Sequence, residues 1–162
     1  MRVIKNAEVL TDDWVRLDDE APLPDADVLV SLARLERDLE ILLEHPRMLG
    51  LVVHGDDDLE QVVPHLPHLN LVALDFPQAK DGRNYSNARL LRERFGYQGE
   101  LRAIGDVMRD QLFYLHRCGI DSFALREGED FEAALAGLSV FSQAYQPATD
   151  TDVPVFRFRG GA

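Results

Sequence analysis

The sequence predicts an α/β fold built on a mostly parallel sheet. Three observations carry this. Short runs that are apolar throughout, such as Val28-Leu29-Val30 and Leu49 to Val53, alternate with segments whose leucines recur at helical spacing. The runs have no polar face, as expected of strands covered on both sides in a parallel sheet. The 162 residues are 46% apolar and 28% charged, an ordinary globular composition in a length that suits one domain spanning 1–162. About five parallel βα units follow a short N-terminal β-hairpin. Strand order is not written in the sequence, so a three-layer open sheet with helices on both faces stands first and a partial β/α barrel second.

The hairpin occupies residues 1–20, with Val3 to Leu10 and Trp14 to Leu17 as strands around a turn at Thr11-Asp12-Asp13. A proline-bearing connector, Asp18 to Asp25, leads to the first parallel strand, Val28 to Leu32. Leu35 to Glu44 reads as a helix that ends at Pro46. Leu49 to Val53 is the second strand, and Asp58 to Val63 a short helix closed by Pro64 and Pro67. Leu69 to Leu74 is the third strand. A polar loop through Asp81-Gly82-Arg83 then enters a helix from Tyr85 to Phe95, with Gly96 at its C-terminus. Leu101 to Ile104 is the fourth strand. Asp106 reads as the cap of a helix that buries Met108, Leu112, Leu115 and Cys118. Ser122 to Leu125 is the fifth strand and Phe131 to Phe141 the last helix. Residues 146–162 read as a loose tail whose Val153 to Phe158 can add an edge strand.

A net charge of −12 speaks against nucleic acid, whose phosphates demand a basic surface. The single cysteine excludes an internal disulfide and any multi-cysteine cluster within one subunit, and fits a reducing compartment. The first residues lack the apolar core of a signal peptide, and no apolar run approaches the roughly 20 residues of a membrane span, so the cytoplasm is the expected location. One stretch departs from the acidic average. Lys80 to Arg102 holds six cations against Asp81, Glu93 and Glu100. It reads as a solvated helix face, or as an anion or docking site.

In parallel α/β sheets ligands bind beyond the carboxyl ends of the strands. That rule selects Ser31, His54, Gly55, Asp56, Asp75, Asp81, Gly82, Arg83, Tyr85, Ser86, Gly105, Asp106, Asp110, Gln111, Arg126 and Glu127. The guanidinium of Arg83 suits a carboxylate, phosphate or sulfur oxyanion and is not needed for a turn. Ser86, Arg89 and Arg126 join it as anion-binding candidates. Asp106, Asp110 and Tyr85 are the candidates for proton transfer. Tyr85, Arg89 and Arg92 share one face at helical spacing. Arg102 has Asp106 or Asp110 as expected partner. No dinucleotide fingerprint, phosphate-binding loop or nucleophile elbow occurs. Cys118 falls on an apolar stripe and reads as a buried structural thiol. His45, His54 and His116 are isolated in sequence, and Pro67 separates His65 from His68, so no metal site is expected. No cofactor is detectable, although a flavin bound without a fingerprint stays open.

Three strings carry a family resemblance: Asp75-Phe76-Pro77; Asp81-Gly82-Arg83-x-Tyr85-Ser86-x-Ala88-Arg89; and Gly99-Glu100-Leu101-Arg102-Ala103-x-Gly105-Asp106-Val107-x-x-Asp110-Gln111. It continues through Arg117-Cys118-Gly119 and Ala144-Tyr145-Gln146-Pro147. The sequence resembles domain-of-unknown-function family 934, a bacterial family commonly encoded beside assimilatory sulfite reductase. The resemblance implies a place in sulfur assimilation, with sulfite reductase or its electron donor as partner, and brings no catalytic residue with it. Asp75, Asp81 and Gln111 are named because motif and strand-end rule coincide on them. Three functions follow as expectations: an accessory of sulfite reduction, an enzyme acting on a small anion at the strand ends, or a structural or regulatory homodimer.

Overall fold

The computed structural model of the chain describes residues 2–78 and 82–140. Their eight strands form one sheet: β1 (Arg2–Lys5), β2 (Glu8–Thr11), β3 (Val15–Arg16), β4 (Val28–Val30), β5 (Leu49–Val53), β6 (Leu71–Phe76), β7 (Glu100–Gly105) and β8 (Ser122–Phe123). The spatial order is β2-β1-β8-β7-β6-β5-β4-β3. From β3 to β8 every neighbouring pair is parallel and sequential, the winding of a β/α barrel. The sheet is open at β2 and β3, yet curled into a half-barrel.

The curl is enforced by covalent reach. Strands β2 and β3 lie on opposite edges, but only Asp12, Asp13 and Trp14 connect them. Four Cα steps span at most ~15 Å, whereas seven strand spacings laid flat would cover roughly 34 Å. The sheet must therefore bend until its edges approach, and residues 12–14 cross its concave side.

The helices α1 (Leu32–Arg37), α2 (Leu39–Glu44), α3 (Leu59–Val62), α4 (Arg83–Arg89), α5 (Leu112–Arg117) and α6 (Phe131–Val140) all contribute to one apolar cluster on the convex face. It includes Leu35, Leu42, Val62, Leu91, Leu115 and Ala134 over Leu51, Leu74 and Leu101. The second face, where the sequence suggested more helices, holds a small separate cluster of Val3, Leu29, Val52, Leu71, Ala73, Ile104 and Ala124 under Trp14. Sequential right-handed crossovers put every helix on the same side, so of the two arrangements the sequence left open, the barrel-like one describes the molecule. Small residues suit the narrow concave face: a Cβ on Gly50 would stand 2.7 Å from Leu29 Cδ2 and 3.0 Å from the Trp14 ring.

Several local expectations shift. The hairpin turn is at Asn6-Ala7, with φ of 53° and 57°, and pairs Lys5 with Glu8. Two left-handed residues match the natural twist of a two-residue hairpin. Thr11-Asp12-Asp13 is instead the crossover. The first helix starts at Leu32, where Ser31 Oγ accepts from Arg34 N, and breaks at Asp38 into two. Asp106 does not occupy the cap position. That is Met108, whose N–H donates to Gln111 Oε1 (2.9 Å) ahead of a 3₁₀ turn, Arg109–Gln111. Helix α4 widens into a π turn, Leu90–Arg94, which takes Arg92 off the face of Tyr85 and Arg89. Arg92 turns inward, donating to the carbonyls of Tyr97, Gly99 and Gly119 and pairing with Asp121 at 2.7 Å. Arg102 pairs with neither Asp106 nor Asp110. It is 1% exposed, facing the concave side, bonded to Glu100 (2.7 Å), Ser122 and Asp12. Cys118 is buried in the convex core. The strand expected at 153–158 and the residue Asp81 lie outside the described residues. Among those described, no helix is long and apolar enough to cross a membrane.

Candidate site at the carboxyl ends of the strands

Side chains alternate across a sheet, and the parity that puts Leu71 and Ala73 on the concave face places Asp75 there too, at the carboxyl end of β6. The same parity on β5 runs Gly50, Val52, His54. The register pairs Val53 with Leu74, so His54 and Asp75 come side by side. His54 Nδ1 lies 3.2 Å from Asp75 Oδ2, and Arg16 Nη2 approaches the same carboxylate at 3.7 Å. Asp75 is the sheltered member, its side chain 13% exposed against 43% for His54 and 56% for Arg16.

The surrounding backbone fixes this pair. Asn84, buried at the start of α4, donates Nδ2 to the carbonyls of Asp75 (2.7 Å) and Val53 (3.4 Å), tying the ends of β6 and β5 together. His54 N donates to Asp57 Oδ2 at 2.7 Å. Gly105 has φ of 94°, and a Cβ there would meet Phe76 O at 2.5 Å and Asp75 Oδ1 at 2.7 Å. Only glycine leaves the carboxylate its place. A cleft of about 280 Å³ opens in front of His54, bordered by Arg16, Asp18, Asp19 and Ser31. Its far wall is held by helix α1. Buried Arg34 donates to the carbonyls of Asp18 and Ala21, and Ser31 Oγ donates to Asp19 Oδ1 at 2.6 Å.

The residues singled out from sequence fall into separate groups. Asp75 is at the centre of the cluster. Arg83 opens α4 with its side chain over the backbone after His54: a Cβ on Gly55 would come within 3.0 Å of Arg83 Nε. Asp106 lies beyond β7, bonded to Arg126 Nη1 (3.1 Å), whose Nε donates to Glu129 (3.1 Å). The carboxylate of Asp106 raises the pKa of Arg126 further. Tyr85 is half-buried on the convex side, edge-on to Phe76 with centroids 5.4 Å apart, and its OH accepts from Gln111 Nε2 at 3.3 Å. Burial pushes the phenol above its ordinary pKa. Ser86, Arg89 and Asp110 are exposed on helical surface, and Arg89 pairs with Glu93 at 3.5 Å. The strand-end rule selects His54 but not its partnership with Asp75, and Arg16 escapes sequence reasoning about function. One is isolated among its neighbours in the chain, and the other reads as part of a hairpin. The available signal was parity, since His54 continues the inward positions of an apolar strand.

A neutral histidine that turns Nδ1–H toward a carboxylate keeps Nε2 as a proton acceptor, and the 3.2 Å approach of Asp75 Oδ2 to His54 Nδ1 favours that tautomer. The arrangement can therefore move a proton at Nε2 with Asp75 balancing the resulting charge, beside a guanidinium that attracts anions. Among the described residues no group of three His, Cys, Asp or Glu side chains could hold a metal ion.

No curated protein matches the chain. The family described as "Bacterial protein of unknown function (DUF934)" matches residues 50–156, from β5 past α6, and so includes His54, Asp75, Asn84 and Gly105 while Arg16 and Ser31 precede the matched region. With about two thirds of its length matched, the chain belongs to the bacterial family DUF934.

Proposed function

We propose that this protein is an accessory of assimilatory sulfite reduction in the cytoplasm, acting beside the reductase or its electron donor. The observation that carries the pathway is the set of strings from Asp75 to Gln111 that resemble a family encoded next to that reductase. The accessory role follows from the chemistry required. Six-electron reduction needs a relay of cofactors, and the chain's one thiol, Cys118, is packed in the convex core. A deletion strain is expected to grow poorly on sulfate or sulfite and normally on sulfide or cysteine. Unimpaired growth on sulfate, in a strain without a paralogue, overturns the assignment. Docking would use the exposed cations of the α4 surface. Arg89 and Arg94 qualify, whereas Arg92 is committed to internal carbonyls. Arg89→Glu with Arg94→Glu should weaken partner capture in a salt-dependent way.

A second reading, an enzyme acting on a small anionic metabolite, is favoured by one observation: the imidazole, carboxylate and guanidinium of His54, Asp75 and Arg16 meet at the strand ends before an open cleft.

A further inference from the structure

We infer that His54 is the proton-transfer residue of this cleft, positioned by Asp75, and that the ligand is a small oxyacid with one negative charge and a dissociable hydroxyl. The inference rests on the second reading above and specifies its substrate and its base.

Three features lead to it. The first is the asymmetry of exposure. The carboxylate is sheltered on the strand and the imidazole borders the cleft, so Asp75 reaches a ligand only through the ring of His54. A pair formed merely for stability gains nothing from that order. The second is the fixing of Asp75 from several sides: Asn84 holds its carbonyl, Gly105 leaves room for its carboxylate, and the β5–β6 register sets His54 beside it. Such preorganisation is what proton transfer requires of the group behind the base. The third is the charge lining the cleft. Arg16 is the cation at the rim, and Arg83 lies behind Gly55. Asp18 and Asp19 line the same cleft as Arg16, with Asp19 accepting from Ser31 and Asp57 accepting from His54 N. Two carboxylates in the same lining disfavour an anion that arrives multiply charged. A single negative charge can settle on Arg16 alone, which restricts the ligand to a monoanion small enough for about 280 Å³.

The step is simple to balance. The hydroxyl proton of the ligand passes to Nε2 and its electron pair stays on the ligand oxygen; the second negative charge so formed faces the new imidazolium, which Asp75 supports from behind, while Arg16 holds the first. The reverse transfer returns the proton, so no oxidant, reductant or second substrate is consumed.

The experiment is ¹⁵N NMR of the full chain labelled at histidine, with His54 assigned by the signal lost in His54→Gln. Three probes are titrated separately: sulfite in its hydrogen-sulfite form, inorganic phosphate and glycolate. The wild type should show His54 as the Nδ1–H tautomer, and at least one probe should shift its signals while leaving those of His65 and His68 in place. A response to sulfite or phosphate alone identifies an inorganic oxyacid, and a response to glycolate alone a hydroxycarboxylate. Arg16→Gln should weaken binding by about tenfold, the loss of roughly one charge-assisted bond, without changing the tautomer. Asp75→Asn should populate the Nε2–H form, because an amide can present a donor to Nδ1. Anion binding with His54 already in the Nε2–H form would overturn the proton-transfer role and leave the anion-site reading intact. Failure of all three probes to shift His54 at tens of millimolar would overturn both. Should Asp75→Asn fail to fold, the wild-type tautomer and the Arg16→Gln affinity still decide.

Discussion

At the amino ends of the strands, Arg102 is 1% exposed and held by Glu100, Asp12 and Ser122, while Lys5 closes on Glu100 at 2.6 Å. At the carboxyl ends of the same concave face, Arg16, His54 and Asp75 meet at 3.2–3.7 Å with a cleft in front of them. Both groups mix cations and carboxylates and both adjoin a cavity, of about 350 Å³ at the amino end and about 280 Å³ at the carboxyl end, but the first is centred on a buried guanidinium and the second on exposed Arg16 and His54. The amino-end group clamps the crossover at Asp12 onto β7 and so holds the curl of the sheet. Breaking a buried pair is costly because it leaves an uncompensated charge, which suits this group to holding the fold. The carboxyl-end group keeps its imidazole and guanidinium open to solvent.

The comparison breaks most readily at Arg102. Arg102→Met should destabilise the protein by about 3–5 kcal/mol, because Asp12 loses its buried cation and Glu100 keeps only Lys5, whereas His54→Gln should change stability by less than about 1 kcal/mol. Urea unfolding of both variants makes the test, and equal losses would erase the distinction between the two ends.

Gly105→Ala should cost about 2–3 kcal/mol, through positive φ and a clash with the Phe76 carbonyl. It should also displace the carboxylate of Asp75, so that anion affinity falls even where the variant is folded. The same urea series with an NMR titration separates the two effects.

A smaller effect is expected from pH. Burial alone would raise Glu100, but Lys5 and Arg102 together outweigh it and hold its carboxyl below the usual carboxylate range. A depressed pKa in the folded state contributes stability above the unfolded value that is lost as pH falls through the folded one. The deficit of Glu100→Gln relative to wild type should therefore be largest near neutrality and close on acidification. A deficit independent of pH would mean that the charge of Glu100 contributes little.

The smallest effect sharpens the comparison. Ala7 sits at φ of 57° in the amino-end hairpin. Ala7→Gly should raise stability by about 0.5–1 kcal/mol, visible as a higher urea midpoint, and leave carboxyl-end binding untouched.

The strands were legible because β4 and β5 are continuous apolar runs and β6 opens as one, and the alternation of strand and helix gave the α/β class. The curl was not. It depends on Thr11 and Val15 belonging to opposite edges, which no local pattern announces. The hairpin turn was misplaced because Asp12-Asp13 is a louder turn signal than Asn6-Ala7, whose alanine is a poor left-handed residue. Asp75 was found from motif and strand end together. His54 was found from strand end alone, its partnership with Asp75 being a matter of β5–β6 register, and Arg16 reaches the cluster only through the crossover. Arg102 shows the converse. Its partner Asp12 is ninety positions earlier in the chain, so sequence proximity suggested Asp106 and Asp110 instead.

The pairing of β1 with β8 has a consequence in time. Ile4 stands opposite Phe123, so on a ribosome the first strand emerges more than a hundred residues before its neighbour on that side exists. Strands β4 to β7 can form their successive parallel pairs as they appear. The hairpin can close on itself, but it must wait for β8 before joining the sheet, and the aspartate that clamps Arg102 waits with it. Long-range closure of this kind slows folding and leaves apolar edges exposed meanwhile. During synthesis the nascent chain should therefore pass through a helix-backed β4–β7 intermediate with an uncovered concave face, and become resistant to protease only after residue 123 has left the exit tunnel.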